Sequence, residues 1–184
     1  DFQGLLLLDL AGASDVPPRL DIILHQLCTG LLSIQNMRQL LITDPMTGCY
    51  NRWFMDIELT KFCENTSMQH DAFALMILDV DRFKHINDYF GHARGDEILV
   101  NLSEMLRQHL SPGDAAIRMG GDEFLLWFPR VEERNLQELG QKILAEATAT
   151  LSIMEVSDLK ITLSIGFVQQ DPSDKDLSQA QLLE

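Results

Sequence analysis

Between Arg19 and Ile42 the apolar residues Leu20, Leu24, Leu27, Leu31, Ile34 and Leu41 step alternately by four and three, with Arg38 on the same line. This spacing keeps one stripe on one helical face. It predicts a heptad seam of about three repeats, hence a dimeric parallel coiled coil. An amphipathic helix packed on its own domain fits the same stripe. Gly30 weakens the middle of the helix and Pro45 ends it. Ala11 to Pro18, small, polar and proline-bearing, reads as a connector. Before it, Gly4 to Leu10 reads as a strand of something upstream. The expected organisation is therefore the end of an upstream domain and connector over 1–16, a helical stalk over 17–43, and a second domain over 44–184.

Within that domain the pattern changes from element to element. Asn51 is placed to cap a helix carrying Trp53, Phe54, Ile57 and Phe62. Glu64 to His70 is polar loop. Phe73 to Leu78 is an unbroken apolar run, as in a central strand buried on both faces, and it ends at Asp79-Val80-Asp81. A short helical stretch over 82–90 and a loop over 91–95 follow. A long helix from Asp96 then presents Ile98, Leu99, Leu102, Met105, Leu106 and Leu110 on one face. Ser111-Pro112-Gly113 ends it. Ala115 to Ile117 and Leu125 to Phe128 flank Gly120-Gly121, which predicts a hairpin with positive φ at both glycines. A helix over 132–150 follows, with Leu136, Leu139, Ile143, Leu144 and Ala147 on one side. Ile161, Leu163, Ile165 and Phe167 then alternate with smaller or polar residues as a strand does, and a last helix starts at Asp176.

Strand, helix, hairpin, helix, strand is the order of an α+β, ferredoxin-like split βαβ fold, an antiparallel sheet with helices on one face. That layout can set the first strand beside the hairpin, so that the exit of the strand at Asp79 faces the hairpin tip at Asp122.

Charge narrows the chemistry. With 28 acidic and 14 basic side chains the net charge is −14, which argues against a nucleic-acid partner. A phosphate-bearing ligand would have to be met by a metal ion or by backbone amides. Cys28, Cys49 and Cys63 are scattered and odd in number, and read as reduced thiols of a cytoplasmic protein. No apolar run reaches membrane-span length, and no membrane contact is expected of this segment. Two carboxylates from separate strands suit Mg²⁺, with Mn²⁺ as a further fit, because hard cations take oxygen ligands and leave room for substrate phosphates. Lys84, one turn beyond Asp81, is within reach of a phosphate. The amides of Arg82 and Phe83 at a helix start suit phosphate oxygens.

Three motifs stand in order: Asp44-x-Met46-Thr47-Gly48-x-x-Asn51-Arg52, then Asp79-Val80-Asp81-x-Phe83-Lys84-x-Ile86-Asn87-Asp88-x-x-Gly91-His92-x-x-Gly95-Asp96, then Gly120-Gly121-Asp122-Glu123-Phe124. Together they resemble the GGDEF family, the diguanylate cyclases, from Asp44 to about Gln170, with Met46 where the family usually has Leu. The resemblance implies a palm-like nucleotidyl-cyclase domain that condenses two GTP into cyclic di-GMP and two pyrophosphates as a homodimer of half-sites, under an upstream sensor domain. It implies Mg²⁺ on Asp79, Asp122 and the Val80 carbonyl, and Lys84 stabilising the transferring phosphate. Asp122 or Glu123 would take the ribose 3′-hydroxyl proton. Asn87 and a buried Asp96 would read guanine, whose N1–H and N2–H can donate to a carboxylate where adenine N1 cannot. Phe83 and His92 would complete the substrate contacts.

The chain departs from the family in two places. The family's C-terminal helix usually carries a Lys and an Arg toward the triphosphate, and the sequence reaches Glu184 without them. The family's product-inhibition site often has Arg-x-x-Asp before the glycines. Here Asp114 holds the Asp place but Ser111 the Arg place, so that site is expected to be degenerate. Two other classes remain: a catalytically weak domain that binds GTP as a signalling or docking module, and a purely structural dimerisation segment.

Overall fold

The computed structural model describes residues 18–64, 72–131, 135–151 and 161–170. The expected upstream strand, the polar loop before Phe73 and the last helix from Asp176 lie outside the described residues, and so does the start of the helix expected from Glu132. The chain divides into two compact units, 1–41 and 42–184.

In the first unit the expected helix is present as α1 (Pro18–Ile42). Its Leu27, Leu31, Ile34 and Leu41 are exposed, as are Ile22, Ile23, Met37 and Leu40 beside them. The apolar stripe read from the sequence therefore lies open along this single chain.

The second unit begins with a turn that closes on Asp44. The Thr47 backbone amide and Oγ1 both donate to Asp44 Oδ1, at 2.9 and 2.7 Å. Then come β1 (Tyr50–Asn51) and α2 (Arg52–Glu64). Asn51 caps α2 as expected, its Oδ1 accepting from the Phe54 amide at 3.1 Å. The rest runs β2 (Phe73–Val80), α3 (Phe83–Phe90), α4 (His92–Gln108), β3 (Ala115–Gly120), β4 (Glu123–Phe128), α5 (Leu136–Thr150) and β5 (Leu163–Gln170).

The five strands form one sheet in the order β1-β3-β4-β2-β5. β2 lies between β4 and β5, antiparallel to both, and β3 pairs with β4 as the hairpin. The strand-helix-hairpin-helix-strand core is thus as expected. Two features depart from it. β1 adds a short parallel edge beside β3, so the sheet is mixed. Helices also lie on both faces. Ala74, Met76, Leu78 and Val80 pack in one cluster with Leu99, Leu102 and Leu106 of α4 and Ile143 and Ala147 of α5. Phe73, Leu75, Ile117, Leu125 and Trp127 point the other way and meet Met55 of α2.

β2 is buried on both faces except at Ile77, which is 54% exposed, and at Asp79, which is half-buried. In α2, Met55 is the buried contact and Trp53 is exposed; in α5, Leu144 is exposed too. Gly91, at φ 84°, turns the chain in one residue between α3 and α4. Its amide closes on the Asn87 carbonyl at 2.9 Å, and its carbonyl accepts from the Arg94 and Gly95 amides. The expected loop over 91–95 is therefore the first turn of α4. The hairpin loop is Gly121-Asp122, because Gly120 already pairs with Glu123. Both glycines have positive φ as expected, Gly120 at 153° and Gly121 at 55°, although the central pair of the loop is Gly121-Asp122 and not the two glycines.

Candidate active site

The register of β2 against β4 sets Asp79 opposite Glu123, one residue past the turn that carries Asp122. Asp79 and Glu123, 44 residues apart in sequence (123 − 79), are thus delivered to one end of the sheet by backbone pairing alone. Partial burial pushes the Asp79 carboxyl above its ordinary range, and the like charges of Asp122, Glu123 and Asp81 add to the push. Among the described residues no cation pairs with Asp79. Nor does any group of three His, Cys, Asp or Glu side chains stand ready to hold an ion by itself. A repelling oxygen set without its own counter-charge fits a hard divalent cation, which can complete its shell with phosphate and water. Asp79, Asp122 and the Val80 carbonyl are the residues that would hold it.

Asp81, two residues further on, has a different task. Thr162 Oγ1 donates to its Oδ2 and Ser164 Oγ to its Oδ1, at 2.5 and 2.6 Å, and its amide donates to the Thr162 carbonyl at 3.0 Å. These bonds hold its carboxyl below the ordinary range. They also tie the exit of β2 to β5. Arg82 follows with φ 57°, the left-handed conformation that non-glycine residues rarely adopt. From there α3 starts with no side-chain cap. Lys84 is exposed on its first turn.

The expected base-reading residues lie on α3 and α4. Asn87 is half-buried, and its Oδ1 is buried without a hydrogen-bond partner. Phe83 is buried, and His92 and Asp96 are exposed at the start of α4. The burial expected for Asp96 is therefore not observed. With α4 starting at His92, Asp96 falls on an outward position of its second turn.

Arg118 was not legible as a site residue. From β3 its Nε and Nη2 donate to the Gly121 carbonyl at 3.1 and 2.7 Å, and its Nη1 reaches Asp44 Oδ1 at 3.2 Å. Hydrogen bonds from Thr47 and the Arg118 charge together outweigh burial and hold the Asp44 carboxyl low. The guanidinium thus pins the turn bearing Asp122 to the turn that opens the domain. Behind that turn, Ser103 Oγ and Arg107 Nη1 donate to the Thr47 carbonyl at 3.0 and 3.1 Å. Ser111 and Asp114 close a tight turn after α4: the Ser111 amide donates to Asp114 Oδ2 at 2.8 Å, and the Asp114 amide to the Ser111 carbonyl at 3.0 Å.

This geometry can be set beside known proteins. The sequence model described as "Diguanylate cyclase, GGDEF domain" matches residues 41–183. The chain is 34% identical over 124 residues to the diguanylate cyclase TpbB of Pseudomonas aeruginosa, a match that takes in 67% of this chain and 28% of that one. It is 36% identical over 133 residues to the diguanylate cyclase DgcM of Escherichia coli, covering 70% and 30%. The chain therefore spans under a third of the length of these relatives. Among solved structures, the coiled coil and GGDEF domain of DgcB from Caulobacter crescentus, in complex with c-di-GMP, superposes with a TM-score of 0.71. It has 25% identity and covers 85% of this chain and 83% of that one. With its sheet order, its paired acidic strand ends and a family match over most of its length, the chain belongs to the GGDEF-domain family.

Proposed function

We propose that this chain carries a diguanylate cyclase activity, condensing two GTP into cyclic di-GMP with release of two pyrophosphates. The observation that carries the reading is the register that puts Asp79 opposite Glu123 and beside the Asp122 turn. In each of two symmetric steps, the ribose 3′-oxygen of one GTP attacks the α-phosphorus of the other. The bond from that phosphorus to the β,γ-diphosphate breaks, and pyrophosphate leaves. The 3′-hydroxyl proton passes to the carboxylate of Asp122 or Glu123. Mg²⁺, when bound, would neutralise the triphosphate and acidify the attacking hydroxyl. Lys84 balances charge on the transferring phosphate, Asn87 and Asp96 contact the guanine edge, and His92 and Phe83 complete the base site.

One domain holds one GTP, so two copies must face each other. The open apolar stripe of α1 supports a coiled-coil pairing that brings them together. An upstream sensor domain would act through the same helix. Among the described residues no helix is long and apolar enough to cross a membrane.

The test is incubation of the full chain with GTP and Mg²⁺, followed by chromatography. Cyclic di-GMP and pyrophosphate should accumulate in a ratio of one to two. Binding of GTP without product would replace this reading with that of a docking module.

Two predictions follow from the same site. Arg118→Ala removes a charge-assisted contact worth about 1.5–3 kcal/mol, which held the Asp122 turn in place. Turnover should fall roughly ten- to a hundredfold while KM for GTP moves little, since the base and phosphate contacts lie on α3 and α4. Unchanged turnover would show that the turn holds itself. The second concerns feedback. Ser111 offers one short hydroxyl where an arginine fork would grip product, so initial rates should stay flat as cyclic di-GMP is added through the low micromolar range. Ser111→Arg should restore some inhibition. Strong non-competitive inhibition of the unaltered chain would overturn the reading of that site.

A further inference from the structure

Gly95 lies inside α4 and is buried. Glycine there is ordinarily a poorer choice than alanine, because it loses more backbone freedom on folding. Its φ is not positive, so the backbone conformation does not demand it. Space does. A Cβ on Gly95 would stand 1.9 Å from Asn87 Oδ1, 3.0 Å from Asn87 Cγ and 3.1 Å from the Phe83 ring. At Gly30, the glycine of α1, an added Cβ would meet nothing within 4 Å. The hydrogen of Gly95 is therefore the floor of a slot. The Asn87 carboxamide lies in it with Phe83 as a second wall.

The slot also explains why Asn87 Oδ1 is buried without a partner. An orphaned acceptor is unfavourable, and a side chain with two free torsions would ordinarily swing out to water. Here the oxygen branch is lodged against α4, which leaves the amide branch of the same planar group as the end available to a ligand. Arranged this way, the carboxamide is oriented before the nucleotide arrives, which lowers the ordering cost of binding.

We propose that Gly95 is a positioning residue for base selection: it supplies the gap that fixes the Asn87 carboxamide at the nucleotide base. This rests on the proposed reading of Asn87 as a base contact. Asn87 Oδ1 is the far end of a flexible side chain, so a methyl at residue 95 displaces it by rotation and leaves the helix intact. The loss therefore falls on binding and selectivity, with little effect on the fold.

The test uses the full chain with Mg²⁺ and 3′-deoxy-GTP, which lacks the attacking hydroxyl, so calorimetry reads binding without turnover. 3′-Deoxy-ATP serves as the control base. Gly95→Ala should weaken 3′-deoxy-GTP about tenfold, the scale of one lost hydrogen bond in a desolvated site. It should leave 3′-deoxy-ATP within about twofold. In an Asn87→Ala background the same change should cost no further affinity, and it should be better tolerated in melting temperature than in the unaltered chain, because only the Phe83 ring, 3.1 Å away, then has to give. Gly95→Ala binding 3′-deoxy-GTP as the unaltered chain does, or losing equal affinity in both backgrounds, overturns the proposal. If Gly95→Ala alone does not fold, the double variant decides: failure there too would mean that the clash is not with Asn87. Asn87→Ala binding at full strength would instead remove the base-contact reading itself. No binding of 3′-deoxy-GTP by the unaltered chain would remove the proposed function.

Discussion

Asp79→Asn is expected to abolish cyclic di-GMP synthesis and, in metal-free buffer, to raise the melting temperature. The two effects would have opposite signs if, as proposed, the carboxylate serves catalysis while its charge is unfavourable in the metal-free fold. Folding partly buries Asp79 and places it near Asp122, Glu123 and Asp81, so its folded pKa lies above the ordinary value of 3.8. A carboxylate with a raised folded pKa binds its proton more tightly in the native state. Native stability therefore falls as pH rises from the unfolded pKa through the folded one, and the penalty is complete above both. Asparagine keeps the shape and removes the charge. Its advantage should be full at neutral pH and vanish below about pH 3.8, where the wild-type side chain is neutral in both states. Saturating Mg²⁺ should stabilise the wild type and not the variant, reversing their order. Synthesis should fall more than about a hundredfold, since changes even to groups that only support a metal ligand cost 10- to 100-fold. Asp122→Asn should lose synthesis to the same extent. A variant that still turns over near the wild-type rate, or that melts earlier in chelator, would show that Asp79 is not a strained metal carboxylate.

How much of this could be read from sequence depended on the range of the forces involved. The run Phe73 to Leu78 marked a central strand because a short, β-prone apolar run bounded by polar residues fits a sheet interior, although Ile77 within it is 54% exposed. The meeting of Asp79 with the Asp122 turn followed from topology, since a hairpin after one crossover helix returns beside the first strand. The exact pairing of Gly120 with Glu123 did not follow. Two glycines in a row offered two ways to place a two-residue loop, and only the ladder chose between them. β1 was missed because Tyr50-Asn51 is too short to show any alternation. With β1 went the second helical layer, since Met55 of α2 looks like any other apolar helix residue until the sheet turns toward it.

Gly91 and Gly95 misled for a related reason. Glycines flanking polar residues read locally as a loop. Gly91 is indeed a turn residue with positive φ, but Gly95 is glycine on account of Asn87, eight residues away and on another helix. Arg118 and Asp81 gave still less warning. Asp44, the carboxylate partner of Arg118, lies 74 residues away and the partners of Asp81 more than 80, so no local pattern encodes those contacts. A basic residue three positions before the second glycine of a two-glycine turn was the one available hint, since its guanidinium can reach back to the turn carbonyl, as Arg118 does at Gly121.

Removing residues 1–42 should leave a folded domain that binds GTP with unchanged affinity yet turns over slowly and in a concentration-dependent way. The second unit begins at Ile42, and its sheet, its two core clusters and the Asp44 turn lie within it. Its stability should therefore be little affected. What the truncation removes is the open stripe of Leu27, Leu31, Ile34 and Leu41. If that stripe pairs two chains, it converts the meeting of half-sites from a bimolecular event into one at an effective concentration of millimolar order. At micromolar enzyme the truncated domain should then be slower by roughly a hundred- to a thousandfold. Its specific activity should climb in proportion to protein concentration, because each doubling doubles the chance that a loaded domain meets another. The full chain should show flat specific activity over the same range. Replacing Leu27, Leu31 and Ile34 with polar residues of high helix propensity, such as Gln, should reproduce the truncation while keeping the helix-forming sequence. Undiminished, concentration-independent activity from the truncated domain would show that pairing is built into residues 43–184 and that the α1 stripe serves another partner.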